Sequence, residues 1–229
     1  MSSQPINQYG DTLIPTTGRH GVNISEQRVD ELDQGCLDFV RTLAPESQVI
    51  DIGGGSGAQS KRIAELGASV LMVDLTDQAE AIMKFNNALG RQAIRFMRRD
   101  VREIKVDDWP QTVCCVYSQR MLSFLPYADA LQLLVTLRDR AVPCAQFFIS
   151  VGGLDTELGV DYPDADKPVE GRFERLSPAA AKKCEIYSHQ CLYRANDLKQ
   201  LAEAAGLPVV KLWSSAFGNI KLIASVKIE

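Results

Sequence analysis

Val49-Ile50-Asp51-Ile52-Gly53-Gly54-Gly55-Ser56-Gly57 is the stretch whose reading decides the fold. Its first four residues suit a buried strand, and a glycine-dense turn follows. Ala58 to Leu66 then reads as a helix closed by Gly67. A strand that turns through glycines into a helix lets backbone come very close to a ligand, because no Cβ stands in the way. The new helix presents N–H groups without partners at the same spot. Such a turn holds a nucleotide-like cofactor.

Outward from that turn, strands and helices alternate. Upstream, Ser25 reads as an N-cap, and Val29, Leu32, Cys36, Phe39, Val40 and Leu43 follow at helical spacing until Pro45. Downstream, strands are expected near 69–73, 93–97, 112–118 and 146–151. Helices are expected from Thr76 to Leu89 and from Tyr127 to Ala141, the second closed by Pro143. This alternation predicts right-handed crossovers and a Rossmann-like, mostly parallel sheet with helices on both faces. The pattern breaks between Gly152 and Lys183, a long segment poor in apolar residues, and 185–192 reads as a strand or an extended link. A helix from about Asn196 to Ala205 follows, then two strands, 209–214 and 220–227. Only Ser215 to Asn219 separates these strands, too short for a helical crossover, so they form an antiparallel hairpin.

At 229 residues with ordinary globular composition, one cofactor domain is expected over 45–229, with an insertion at about 152–184, preceded by a lid segment and helix over 1–44. A net charge of -4 argues against a nucleic-acid backbone as partner. No apolar stretch is long enough to cross a membrane, and the polar first residues lack a signal-peptide core. Six cysteines without a C-x-x-C pair read as reduced thiols of a cytoplasmic protein. With two histidines in the chain, no metal site is expected.

The turn alone leaves the cofactor open. Gly53-x-Gly55-x-x-Ala58, with Asp74 placed 21 residues past Gly53, also satisfies the dinucleotide fingerprint of NAD(P)-dependent oxidoreductases. Three features favour a different ligand. Asp51 ahead of the glycines suits a cationic amine and would repel a pyrophosphate. Asp100 follows the third strand, where a carboxylate can accept an adenine amine. The closing hairpin is foreign to a dinucleotide fold, which normally ends in parallel strands.

On these residues the chain resembles the class I S-adenosylmethionine-dependent methyltransferases, from about Gln48 to the C-terminus. Asp51 to Gly57 resembles the family's first motif, and Asp74 the acid that binds both ribose hydroxyls. Asp100-Val101 resembles the adenine-side motif. Tyr117 to Pro126 resembles the segment lining the methionine moiety and the substrate. The resemblance implies S-adenosyl-L-methionine as cofactor, a seven-stranded sheet, and cofactor contacts from Asp51, Gly53, Gly54, Gly55, Gly57, Asp74, Leu75, Asp100, Val101 and Ser118. The Asn/Asp-Pro-Pro-Tyr/Phe tetrapeptide of base-amino methyltransferases is absent, and Ser118-Gln119-Arg120-Met121 stands in its slot. The overall layout is similar to small-molecule methyltransferases, which makes a small molecule the expected substrate. A homodimer stays open, as does a non-catalytic module that keeps the cofactor pocket.

Methyl transfer from a sulfonium is an in-line displacement, so the protein's main task is orientation. A general base helps only when the nucleophile arrives protonated. His189 is the candidate base, with Tyr187 and Tyr193 as frame. Arg120 is the candidate for holding a substrate carboxylate. Tyr9, Arg19 and His20 are candidates for a lid over the cofactor.

Overall fold

The computed structural model describes residue 12, residues 14–16 and 20–21, and residues 25–227. The first helix is α1 (Glu31–Val40), followed by β1 (Gln48–Ile52), α2 (Ala58–Glu65), β2 (Ser69–Asp74), α3 (Ala79–Leu89) and β3 (Ile94–Arg98). Next come β4 (Val113–Gln119), α4 (Tyr127–Arg138) and β5 (Ala141–Val151). The insertion carries β6 (Glu174–Arg175), α5 (Pro178–Cys184) and β7 (His189–Gln190), and α6 (Ala195–Ala204), β8 (Val209–Ser214) and β9 (Ile220–Ser225) complete the order.

Seven strands form one sheet in the order β3-β2-β1-β4-β5-β9-β8. The first five run parallel, and β9 lies antiparallel to both β5 and β8. The expected Rossmann-like sheet and closing hairpin are therefore present. The chain reverses at the hairpin and places its last strand inside the sheet, with β8 at the edge.

Both faces of the sheet are covered, which explains the near-continuous apolar strands. Successive residues of a strand point to opposite faces. Ile50, Ile52, Leu71, Val73 and Val116 join a core with α4 and α6. Val49, Val70, Met72, Cys115 and Tyr117 join a second core with α1 and α2. Each such aliphatic side chain contributes roughly 1.5–3 kcal/mol by leaving water. A smaller cluster, including Leu154, Tyr162, Leu176 and Ile186, organises the insertion. Arg172 ties the insertion to α6 through an ion pair with Asp197 at 2.6 Å, with side-chain exposures of 4% and 15%. All six cysteines are free thiols.

Several expected boundaries move. Asp30, not Ser25, caps the first helix: its Oδ1 accepts the N–H of Leu32 and of Asp33 at 2.8 and 3.1 Å. Asp33 returns the bond through Oδ2 to the Asp30 N–H at 2.8 Å, completing a capping box. Thr76 does not cap α3, whose Ala79 N–H is accepted by Asp77 at 3.0 Å. The fourth helix ends at Arg138 rather than Ala141, and β5 runs straight through Pro143. Proline is tolerated there because the β4–β5 register shifts between Val113 and Cys115. The insertion holds a short helix that the sequence reading passed over. Its signals are Ser177, whose Oγ accepts the Ala180 N–H, and Pro178 at the first turn. Between 185 and 192 only His189–Gln190 forms a strand, paired with Glu174–Arg175.

Candidate active site

A cleft of ≈ 1010 Å³ opens at the carboxyl edge of the sheet, beside the glycine turn. Gly53 and Gly55 hold positive φ values of 71° and 56°. A Cβ on Gly53 would stand 2.5 Å from Cβ and Cγ of Met121, so glycine is required for packing as well as for conformation. A Cβ on Gly55 would meet nothing within 4 Å. Gly55 therefore borders open cleft, the cradle that a cofactor's close approach needs. Asp74 closes the turn from the end of β2. Its Oδ2 accepts the Gly55 N–H at 2.8 Å, and its Oδ1 accepts the Thr76 N–H at 2.7 Å. A carboxylate offers about four acceptor positions, so two remain for a pair of hydroxyls.

Asp51 lies on β1 beneath the turn, 1% exposed, and accepts the Ser60 hydroxyl at 2.5 Å. Burial pushes its carboxyl up to about 7; the Ser60 bond opposes the rise, and Asp74 and Asp33 add to it. A cation beside it would draw the carboxyl back to its charged form. Gly54, Leu75, Asp100 and Val101 also line the cleft, whereas Gly57 sits behind the turn, where its Cβ would meet Ile82 Cδ1 at 3.0 Å. Asp100 is already engaged. Its Oδ1 takes the Arg102 N–H and Nε at 3.0 Å each, and its Oδ2 takes Nη2 at 2.5 Å. The Arg102 hydrogen bond holds the Asp100 carboxyl below its ordinary value. One acceptor position on Oδ2 stays open to an adenine amine.

At the end of β4, strand alternation separates the expected residues. Tyr117 and Gln119 face the cleft, and Ser118 does not. Ser118 is buried on the other face, its hydroxyl without a hydrogen-bond partner among the described residues. Arg120 reaches the cleft from a left-handed backbone (φ 65°), its N–H donated to the Ser150 carbonyl at 2.9 Å. Desolvation lowers the affinity of its guanidinium for its proton, while Tyr117 and Asp30 work against that.

The structure places the two histidines on different surfaces. His189 lies outside the cleft, stacked on Phe173 at 5.6 Å with Nε2 3.3 Å from Glu174, while its neighbours Ser188 and Gln190 face inward. His20 does line the cleft, edge-on to Phe124 at 5.7 Å and bridged through its backbone to Ile186. Ile14, Pro15 and Thr16 line the same wall. Tyr9 and Arg19 lie outside the described residues. Tyr187 is exposed and Tyr193 fully buried in the core.

The sequence reading missed a polar wall opposite the glycines. Lys221, on β9 and 2% exposed, donates to Asp30 Oδ2 at 2.8 Å and to Glu31 Oε2 at 3.0 Å. Gln119 Nε2 donates to the same Asp30 oxygen at 2.6 Å, and Tyr117 meets both Asp33 and Gln119. The capping-box pattern at Asp30 and Asp33 was the available signal. Nothing in the sequence links Lys221 to it across 190 positions.

The residues present fit a sulfonium nucleoside: an open glycine cradle, an acid with spare acceptors at its rim, and a wall of acids for positive charge. Among the described residues no cluster of His, Cys, Asp or Glu could hold a metal, and no helix is long and apolar enough to cross a membrane.

Comparison with known proteins agrees. Residues 49–143 match the family described as "Methyltransferase domain". A methyltransferase from Burkholderia thailandensis, solved with 1,6-didemethyltoxoflavin and S-adenosylhomocysteine, is 18% identical, with 86% of this chain and 79% of that one covered at TM-score 0.61. An S-adenosylmethionine-dependent methyltransferase from Clostridium acetobutylicum is 10% identical, with 89% and 94% covered at TM-score 0.62. Magnesium protoporphyrin IX methyltransferase from Synechocystis, solved with S-adenosylmethionine, is 16% identical, with 89% and 81% covered at TM-score 0.58. No curated protein matches the chain. Residues 49–143 thus carry the signature of a methyltransferase domain, and the chain shares its fold with S-adenosylmethionine-dependent methyltransferases.

Proposed function

We propose that this protein moves the methyl group of S-adenosylmethionine, in line, onto an O, N or S atom of a small molecule. The open space over Gly55 beside Asp74 carries the reading. The cofactor supplies an activated methyl carbon when bound. Asp74 holds the ribose hydroxyls, Asp100 and Val101 the adenine edge, Leu75 a side of the base, and Asp51 the amine. Gly53, Gly54 and Gly57 set the turn. Ser118 backs the site from the sheet's other face instead of touching ligand.

The cleft wall formed by Thr16, His20, Leu158 and Ile186 bounds the space beside the cofactor cradle and supports a small substrate. Ile14, Pro15, Thr16 and His20, which line this space, serve as part of its lid. The acidic balance of the chain counts against nucleic acid. A Burkholderia neighbour that holds a small heterocycle is consistent with the reading. Arg120 holds an acidic group of the substrate, and His20, rather than His189, takes a proton from a hydroxyl or amine nucleophile. The protein works in the cytoplasm on this reading.

Calorimetric titration tests the core of it. S-adenosylmethionine should bind, NAD should not, and Asp74→Ala should weaken binding at least about tenfold by removing a charged acceptor. Methyl-labelled cofactor with cell extract should pass label to a small-molecule fraction. Label retained on the cofactor in every extract would mark a binding module without transfer.

A further inference from the structure

Counting protons in the polar wall shows that it lacks one. The order of donors begins at Lys221. Its ammonium and the Gln119 amide both donate to Asp30 Oδ2, while two backbone N–H groups fill Oδ1. Asp30 is thus an acceptor throughout. Burial opposes its charge, but the Lys221 bond and the two N–H groups hold its carboxyl below the ordinary value. That fixes the Gln119 amide, since reversing it would set oxygen against oxygen at 2.6 Å. Gln119 Oε1 must therefore face Tyr117, whose phenol oxygen lies 3.1 Å away.

Tyr117 also sits in a short contact with Asp33 Oδ1. A phenol carries one hydrogen, and Gln119 Oε1 can only accept. If Asp33 were ionised, two acceptors would compete for that hydrogen, and one oxygen pair would be left without a hydrogen between them. A proton on Asp33 resolves both contacts. Asp33 donates to Tyr117, Tyr117 donates to Gln119, and Gln119 donates to Asp30.

We propose that Asp33 is a neutral acid in the free protein, its proton shared with Tyr117, and that it releases this proton when a cation enters the cleft beside it. The pair is a positioning element for the methyl donor's positive charge, and it rests on the functional reading above. Asp33 and Tyr117 both line the cleft and are 1% and 3% exposed. The groups around Asp33 agree with the assignment. Burial pushes its carboxyl up and Asp30 on its own helix adds to that, while the Asp30 N–H, Tyr117 on β4 and Arg62 on α2 offset part. Asp51 on β1, Cys36 on α1 and Arg120 after β4 face the same space.

The test uses the full chain. Carbon-13 labelling of aspartate carboxyls should reveal one resonance, missing in Asp33→Asn, that titrates above the ordinary carboxylate range. An Asp33 resonance titrating at or below that range overturns the proposal without reference to any ligand. With S-adenosylmethionine present, the same midpoint should fall by about 1 unit or more. Calorimetry in buffers of different ionisation heat should then show proton release on binding. Asp33→Asn, which keeps the donor to Tyr117, should lose a share of that release, and Asp51→Asn should lose a separate one. Binding with unchanged release in Asp33→Asn refutes the coupling. Absence of any binding heat, with Asp33 still titrating high, refutes the functional reading and leaves the neutral acid standing.

Discussion

Alanine at Gly55 should leave the fold standing while closing the cradle to its ligand. The residue's φ is 56°, a conformation that costs an ordinary side chain about 1–2 kcal/mol. No atom lies within 4 Å of the added carbon, so no clash enlarges that cost. A domain of this size should then melt roughly 2–8 °C lower. The methyl projects where the cofactor must lie, and crowding of that kind costs about 1–3 kcal/mol, or roughly 5- to 150-fold in affinity. Gly53→Ala is the internal control. It carries the same backbone penalty (φ 71°), and its carbon falls 2.5 Å from Met121 Cβ and Cγ. Roughly 2–5 kcal/mol of lost stability is expected there. Thermal melts and calorimetric titration of S-adenosylmethionine measure both variants. Wild-type affinity in Gly55→Ala would mean that the space above Gly55 is not the cofactor's. A melting loss equal to that of Gly53→Ala would mean that the space is not open.

Other consequences follow from buried charge. Asp51 ionises at about 7 when folded against an ordinary value of 3.8, so the folded state binds more protons between those limits and stability falls as pH rises through them. Asp51→Asn should remove that slope, gaining roughly 3–5 kcal/mol above neutrality and little near pH 4, while binding the cofactor more weakly; parallel slopes in urea melts of the two proteins would refute this. Arg172→Ala removes a buried guanidinium from the partly exposed Asp197 carboxylate, which keeps the Arg194 N–H, and should cost about 1–3 kcal/mol, with Arg172→Met milder because its volume is kept. Denaturant midpoints decide it, and equal losses for both would show that the lost ion pair rather than packing is at stake. His20→Ala should leave cofactor affinity within about twofold, since His20 sits on the insertion side of the cleft; transfer to a protonated nucleophile should drop, and a matching loss of cofactor affinity would place His20 in the wrong part.

The sequence made the sheet legible because its strands are covered on both faces and therefore apolar at nearly every position, as in Val70-Leu71-Met72-Val73. The glycine turn was legible for the opposite reason, since few folds tolerate so many glycines without a ligand or a tight bend. Two errors shared one cause. Ser118 and His189 were chosen for chemistry at roughly the right height along the chain, yet each lies on the far side of its strand from Gln119 and Gln190. Period two decides such cases, but only once the face bordering the cleft is known. The start of α1 failed differently. Ser25 and Asp30 are both good caps, and only the reciprocal bond from Asp33 selects the second. Lys221 was illegible because its partners come from the other end of the chain, and a lysine within an apolar strand gives no hint of the acids it will meet.

Threading β9 between β5 and β8 has a consequence for biosynthesis. Lys221 reaches Asp30 and Glu31 only after β9 has been inserted between β5 and β8. A growing polypeptide can therefore form its glycine bend early and still have no finished pocket. Any chain stopped ahead of Ile220 would lack an interior strand and the ammonium that neutralises Asp30, leaving the first helix to fray from the very wall it supports.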